Sequence, residues 1–381
     1  MHKNLTKKIM IASAATLMLL VAPKSHAVKP ELLVGGLYYK KINHMKDIIS
    51  DILPPPAYII ESYLTVLEIL DEMDKGAASD KARIDKLLAY GKQLESANSS
   101  KDPFPGYHER IKAWVKDLED KAPLDKKIKE LMTKTTVAPA TKFFQVRDSK
   151  FTAAVKAGKR DEALKVARAE LKPAYDQHRK LIVELVEAAT SNYTAVEAAA
   201  QAKAKAGDTK DIVLRGPLYT KVIQMKDLIA DILPPPKYII ESYLTALQAV
   251  DALEGGQKDE AKKLLEYGTS LRSGGKGVTG YNERHDYWVK NLEEKTIPEK
   301  KIKDLMVKLT HDPAQKFYDT RDAKLSAAIN SGNVADAKNI IRNELKPAYD
   351  EHRKNIDDLV SRANKVYLQL EAEVAQQLSN Q

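Results

Sequence analysis

Two short motifs carry side chains that could bind a polar ligand or take part in acid–base chemistry. Tyr58 and Glu61 follow three consecutive prolines in the string DILPPPAYIIESYL, and Tyr175 and His178 lie in the string ELKPAYDQHRK. Tyrosine, carboxylate and imidazole groups form directional hydrogen bonds and are common in binding pockets. The three-residue spacing within each motif places each pair on one face of a helix. A histidine on an apolar helix face is also typical of a core position.

Arg147 is a further candidate because it lies on an apolar stripe. Phe144 precedes it by three residues and Phe151 follows it by four. An arginine that faces a core needs an acceptor, since an unpaired buried charge is costly. The acceptor is either an acid of the chain, for which Asp51 and Glu61 are the candidates, or a bound anion held by two parallel hydrogen bonds. The sequence leaves both interpretations open.

Each of these residues occurs a second time. The string DILPPPAYIIESYL at residues 51–64 returns as DILPPPKYIIESYL at residues 231–244, and ELKPAYDQHRK returns as ELKPAYDEHRK. The second set of candidates is Tyr238, Glu241, Arg321, Tyr349 and His352. The sequence therefore predicts a duplicated unit. We define the first half as residues 28–204 and the second half as residues 205–381, after a leader at residues 1–27.

Apolar residues recur at helical spacing in both halves. One such stripe comprises Leu171, Tyr175, His178, Ile182 and Leu185. Strand signals are absent, so we predict an all-α fold of two tandem antiparallel helical bundles, each similar to a four-helix bundle. The join at residues 195–215 is predicted to be either one continuous helix or a helix that is broken at Gly207.

The three prolines at residues 54–56 must interrupt a helix. Proline removes a backbone hydrogen bond and clashes with the preceding turn, at a cost of about 3 kcal/mol. The segment is either a corner that ends a short first helix or a kink in one long helix. With a kink, a rise of about 1.5 Å per residue places Tyr58 and His178 at the same height. The residues then predicted to surround one cavity are Tyr58, Glu61, Tyr63, Tyr175 and His178.

Several classes of chemistry lack their sequence signatures. The chain has no cysteine, which excludes disulfides and thiolate metal sites. The H-E-x-x-H motif, the Glu-x-x-His pairs of di-iron bundles and a phosphate-binding glycine loop are missing. We therefore predict no enzyme activity and no cofactor. A remote alternative is a b-type haem held by Met45 and His178, or by Met225 and His352, residues that suit haem in type but are predicted at different heights.

The charge pattern does not indicate nucleic-acid binding. The formal net charge is +9, but acidic and basic residues are interspersed along the chain. We find no arginine-rich run and no group of aromatic residues on which bases could stack. The charged residues are instead typical of a solvated helical surface.

The first residues have the organisation of a secretory signal peptide. A basic start precedes an apolar run from Ile9 to Ala22, and Ser25-His26-Ala27 offers small residues for cleavage. The run is shorter than the roughly 20 residues of a membrane-spanning helix. We predict cleavage and a soluble periplasmic protein, with an uncleaved membrane anchor as the alternative.

The second half resembles a known sensory domain. The string GPLYTKVIQMKDLIADILPPPKYIIESYLTAL is similar to the start of an extracytoplasmic domain of bacterial methyl-accepting chemotaxis proteins and sensor kinases. GYNERHDYWVKNL, DPAQKFYDTRDAKL and ELKPAYDEHRKNIDDLV are similar to its later segments, in the same order. The resemblance covers nearly all of both halves and implies ligand sensing in the periplasm. It names no ligand, and the chain lacks the membrane helices and signalling rod of such receptors.

These observations predict an exported, non-enzymatic binding or sensory protein. Its ligand is predicted to be a small metabolite, with an anion as one option, or a membrane receptor of the chemotaxis type. The alternative is a structural bundle in which the same residues only stabilise the fold. An open polar cavity near Arg147 would favour binding, whereas pairing of Arg147 with Asp51 or Glu61 would favour the structural role.

Overall fold

The described residues form an all-α fold, as predicted. The computed structural model describes residues 28–52, 57–96, 106–118, 120–206, 212–232, 237–275, 279–292, 294 and 296–379. Within these ranges there are twelve helices and no β-strand. None of these helices has a stretch both long and apolar enough to cross a membrane.

Each half contains six helices in the same order. In the first half they are α1 (Leu37–Ile52), α2 (Ile60–Met73), α3 (Lys81–Glu95), α4 (Tyr107–Asp117), α5 (123–156) and α6 (160–205). In the second half they are α7 (Pro217–Ile232), α8 (Ile240–Glu254), α9 (Lys258–Ser273), α10 (Tyr281–Asn291), α11 (297–331) and α12 (334–379). Short 3₁₀ turns occur at Pro30–Leu32 and Gly76–Ala78.

The four long helices contain π-helical turns at matching places in the two halves. In α5 these turns are Leu131–Thr135 and Arg147–Phe151, and in α6 the turn is Ala167–Leu171. In α11 they are Leu305–Leu309 and Arg321–Leu325, and in α12 the turn is Ile341–Leu345. Such turns interrupt the regular hydrogen-bond ladder and often mark functional places.

Local sequence explains where several helices begin and end. Asp80 caps α3 by accepting a hydrogen bond from the backbone N–H of Arg83 at 3.1 Å. Thr296 and Glu299 form a reciprocal capping box at the start of α11. Gly332 ends α11 with a φ of +80°, a conformation that glycine adopts without a steric penalty.

The buried stripe predicted for the last helix of the first half is confirmed. In α6, all five residues from Leu171 to Leu185 on that stripe are buried. The helix ends at Lys205, so the join between the halves is not one continuous helix, and Gly207 lies outside the described residues. α1 and α2 are separate helices, but both triple-proline segments and residues 1–27 also lie outside the described residues.

The two halves pack against each other with approximate two-fold symmetry. Leu33 forms an antiparallel bridge with Val213, its own counterpart in the second half. Helix α2 likewise packs on its counterpart α8, and α1 packs on α7. α1 also packs on α12, while α7 packs on α6. Contacts between a residue and its own repeat are typical of an isologous dimer interface, here within one chain. The domain boundary at residue 204 stays a prediction.

Candidate functional site

Tyr58, Tyr175 and His178 meet in the core of the first half, as the height argument predicts. The hydroxyls of Tyr58 and Tyr175 lie 2.7 Å apart. The Tyr58 ring stacks on the His178 ring with centroids 6.0 Å apart, and Tyr63 stacks on Tyr175 at 4.6 Å. The second half repeats the arrangement: the Tyr238 and Tyr349 hydroxyls are 2.7 Å apart, and Tyr238 stacks on His352.

A π-helical turn holds each core histidine. His178 Nδ1 donates to the carbonyl of Thr136 at 2.9 Å, and this residue directly follows the turn Leu131–Thr135. His352 Nδ1 donates to the carbonyl of Thr310 at 2.7 Å in the same way. A π turn shifts the backbone pairing, so a carbonyl there can accept from a side chain. The turns therefore position the imidazole rings.

Burial favours the neutral form of both core histidines. Burial lowers the pKa of His178 to about 4, although the carbonyls of Thr136 and Ala57 favour its charged form. Burial likewise lowers the pKa of His352 to about 3, with Lys237 contributing. The structure thus packs both rings in the core with Nδ1 bonded to a backbone carbonyl, while the buried Nε2 atom of His178 has no hydrogen-bond partner.

Glu61 does not lie with Tyr58, contrary to our prediction of one shared cavity. It contacts the other half instead, where its carboxylate lies 3.1 Å from Arg353 Nη2. Tyr90 of the first half donates to Glu61 at 2.8 Å, and Arg353 donates to the Tyr90 hydroxyl at 2.7 Å. The Tyr238 hydroxyl lies 3.5 Å from the same carboxylate.

A second group repeats this arrangement with the halves exchanged. Arg179 of the first half donates to Glu241 at 2.7 Å and to the Tyr267 hydroxyl at 2.6 Å. Tyr267 donates to Glu241 at 2.9 Å. We call these two groups the cross-half clusters. The first is Glu61, Tyr90, Tyr238, Tyr349 and Arg353, and the second is Glu241, Tyr267, Tyr58, Tyr175 and Arg179. They join the halves through buried or partly buried polar groups.

Sequence reasoning missed two of the five residues of each cross-half cluster, the arginine and one tyrosine, although a signal was present. Arg179 and Arg353 directly follow the candidate histidines in the repeated string, and the string LL-x-YG repeats Tyr90 as Tyr267. A third ionic group at this interface was also missed. It comprises Asp71, Asp74, Asp251 and Glu254 with Arg160, Arg168, Lys338 and Arg342. A cavity of about 50 Å³ lies beside it.

Arg147 is buried, as predicted, but its partners are not those we expected. It donates to the Gly91 carbonyl at 2.7 Å and to Asp148 at 2.8 Å, and it also pairs closely with Glu95. The expectation that Glu61 pairs with it is wrong, and the side chain of Asp51 lies outside the described part. The reason is that α3 supplies both an acid and a backbone carbonyl beside the guanidinium.

Asp148 is ionised beside this arginine. Burial raises the pKa of Asp148, but hydrogen bonds from Arg147 and Lys92 outweigh burial and hold that pKa below its usual value. Arg147 therefore already has acceptors, so gripping an anion would require the displacement of Asp148 or Glu95.

Arg321 repeats the core of this arrangement with one change. It donates to the Gly268 carbonyl at 2.8 Å and to Asp322 at 2.8 Å. The position of Glu95 is taken by Arg272 in the second half, and Arg272 pairs with Asp319 and Asp322. The two halves thus bury the same arginine but surround it with different charges.

A cavity of about 290 Å³ opens beside Arg147, between α2, α3 and α5. Apolar side chains, among them Val66, Ile69 and Phe151, line it together with the hydroxyl groups of Ser62 and Thr65. The exposed side chains that complete the lining include Asp85 and Lys156. The volume suits a small metabolite with an apolar body and polar ends.

The Ser62 hydroxyl lines this cavity, and it lacks the tyrosine partner that its counterpart in the second half has. In the second half, the Ser242 hydroxyl lies 3.1 Å from the Tyr318 hydroxyl, which satisfies it. The first half has Phe144 at the position of Tyr318, so Ser62 lacks that partner. A buried hydroxyl gains free energy from a hydrogen bond that a bound ligand can supply.

No metal or haem site is supported by the described residues. They contain no group of three or more His, Asp or Glu side chains that could hold a metal ion. Both ring nitrogens of His352 face carbonyl oxygens, those of Thr310 and Lys237. The side chains of Met45 and Met225 lie outside the described part.

The chain was also compared with known proteins. No family model, no curated protein and no solved structure is significantly similar to it. The resemblance to a chemoreceptor sensory domain therefore stays a prediction from the strings quoted above.

Proposed function

We propose that the protein is a non-enzymatic binding protein whose two sensor-like halves are joined as an internal dimer. The observation that carries the proposal is the cavity of about 290 Å³ between α2, α3 and α5. The cross-half clusters support it, because they hold α2 from the other side and so keep one wall of the cavity in place. Rigid elements position a binding site better than loops do.

We propose a zwitterionic metabolite with an apolar side chain as the ligand, which is the chemistry of an amino acid. The apolar wall suits the side chain, and the Ser62 hydroxyl offers one hydrogen bond. Asp85 and Lys156 provide charges of opposite sign at the exposed part of the lining. A purely anionic ligand is less well supported, since Arg147 is already paired with acids.

A thermal-shift screen of the protein from Val28 onward tests this proposal. The panel contains amino acids, carboxylates and uncharged metabolites. A ligand at 100 times its dissociation constant adds about 2.7 kcal/mol of stability to the domain that binds it. We expect a shift of several degrees with a zwitterion. Shifts with carboxylates alone would contradict the proposed ligand class.

Gly91 offers a matched pair of variants for the same screen. It lines the cavity, and a Cβ atom there would lie 3.8 Å from Thr65 Cγ2 and 3.9 Å from Arg147 Nη1, which are ordinary contacts. Gly91→Ala should raise stability by about 0.5–1 kcal/mol through helix propensity and should keep the ligand shift. Gly91→Leu should fold but lose the shift, because its side chain occupies the cavity. A full ligand shift in Gly91→Leu would exclude this cavity as the site.

We also propose that the protein acts outside the cytoplasm, because residues 1–27 have the organisation of a signal peptide. The intact mass of the exported protein is expected to correspond to a chain that begins at Val28. A mass that retains residues 1–27 would contradict cleavage.

A second candidate function is binding to a membrane receptor that contains the same domain. Exposed apolar side chains of Tyr287, Val289 and Ile297, at the end of α10 and the start of α11, favour it. This alternative would be supported if no small molecule of the thermal-shift screen binds and the protein binds an immobilised receptor ectodomain. Equal receptor binding after Val289→Ser and Ile297→Ser would count against this surface.

A further inference from the structure

The second half contains a basic cluster that the first half lacks. Its members are Lys237, His285 and His311, and the corresponding residues of the first half are Ala57, Ile111 and Val137. The cluster surrounds Tyr281, whose counterpart is Tyr107, and it adjoins the core histidine His352. The first half therefore shows that the fold forms without these basic groups.

The side chains of the cluster are in direct contact. Lys237 has no solvent exposure, and its Nζ atom lies 3.7 Å from the centroid of the Tyr281 ring. The same Nζ atom lies 3.3 Å from His285 Nδ1. His285 and His311 stack almost in parallel, with ring centroids 3.6 Å apart and an interplanar angle of 17°. Both imidazole rings are half-buried, so the pair lies at the protein surface above the buried ammonium group.

The hydrogen bond from Lys237 determines where His285 carries its proton. An ammonium group only donates, so His285 Nδ1 must accept, and the neutral ring then bears its proton on Nε2. Burial, together with the charges of Lys237 and His311, lowers the pKa of His285 to about 4. Burial and Lys237 also lower the pKa of His311. At neutral pH both rings are uncharged beside a buried cation.

Among the described residues, three further charged side chains act on the pair. Asp286 follows His285, and Asp312 follows His311; both acids are exposed and favour the charged forms of the rings. Arg272 acts in the opposite direction on His311. Tyr281 lies with its hydroxyl 3.4 Å from His311 Nδ1. On the buried side, the described contacts of the pair are those with Lys237 and Tyr281.

We propose that Lys237, His285 and His311 form a binding site for an oxyanion, either a carboxylate or a phosphate group. The imidazole N–H groups would donate to the anion at the half-buried surface of the pair, with the charge of Lys237 beneath them. Assembling three basic side chains costs free energy, and an anion offsets that cost. The site is independent of the cavity in the first half and does not rest on the proposed function.

Calorimetric titration of the protein from Val28 onward tests the site, with inorganic phosphate in one experiment and citrate in another. A bound anion favours protonated imidazole, so affinity should rise as pH falls from 8 to 5.5. Both probes also take up protons over that range, so we expect the increase in the affinity for the fully ionised form of each probe. The probe that binds more tightly identifies the source as phosphate or carboxylate.

The matched control replaces the cluster with the residues of the first half, as Lys237→Ala, His285→Ile and His311→Val. This variant should fold, because the first half folds with those residues, and it should lose anion binding more than tenfold. Lys237→Met alone should lose it as well. The site is refuted if neither anion binds wild type at millimolar concentration, or if the triple variant binds equally well. Gly91→Leu should bind the anion normally, which separates this test from that of the cavity.

Discussion

Replacing Arg353 with methionine is expected to lower the free energy of unfolding by about 3 kcal/mol. The change removes the charged partner of Glu61, whose side chain is only 11% exposed, and leaves the hydroxyls of Tyr90 and Tyr238 as its donors. An uncompensated buried charge costs several kcal/mol. Urea denaturation followed by circular dichroism measures the loss.

A second arginine on the same helix provides the control. Arg362 of α12 pairs with Asp358 one turn away, and the two side chains are 39% and 48% exposed. Arg362→Met should cost less than about 1 kcal/mol, since exposed ion pairs contribute little. Arg179→Met, which removes the equivalent partner of Glu241, should behave like Arg353→Met. Equal and small losses for Arg353→Met and Arg362→Met would show that the cross-half clusters do not hold the halves together.

Stability is expected to fall as the pH decreases from about 6.5 to about 4.5. His178 and His352 have folded-state pKa values of about 4 and about 3, below the value of about 6.5 for an unfolded chain. As the pH falls, the unfolded state therefore takes up protons before the folded state does. Each histidine then lowers the free energy of unfolding by about 1.4 kcal/mol per pH unit in this window. Above pH 6.5 the contribution of both rings is complete.

The measurement is the free energy of unfolding in urea at several pH values between 8 and 5. His178→Asn with His352→Asn should have a much shallower slope, even if its stability at pH 8 is lower. His285 and His311 contribute in the same direction, so some slope should remain. A slope identical to that of wild type would show that the core histidines are not held neutral.

The repeated strings predict much of the fold because they are periodic. The stripe from Leu171 to Leu185 identifies the buried face of α6, and all its members are buried. Counting residues along two helices also predicts that Tyr58 lies beside His178, because the constant rise per residue gives the height of each side chain along the bundle. These predictions depend on local geometry, which a single sequence contains.

The partners across the two halves could not be predicted in this way. Glu61 and Glu241 both lie in the string YIIESYL, so the sequence does not state which half each carboxylate contacts. The sequence did not reveal the partner of Arg147 for a related reason. The acidic partner of Arg147, Glu95, corresponds to Arg272 in the second half. Comparing the residues that the two halves share therefore does not reveal Glu95.

The differences between the halves are as informative as the identities. Lys237, His285 and His311 stand where the first half has apolar residues, and only the folded chain brings them together. Phe144 in place of Tyr318 likewise leaves Ser62 without its hydroxyl partner. Duplication with local divergence is consistent with one shared scaffold and two distinct sites.

The most direct test of ligand binding is the electron density of a crystal of the protein from Val28 onward, soaked with the strongest compound from the thermal-shift screen. We predict density for that compound in the cavity between α2, α3 and α5, with a polar group within hydrogen-bond distance of Ser62. Density for the compound elsewhere, with only water in this cavity, would contradict the proposed site and leave the shared tyrosines, glutamates and arginines with a structural role alone.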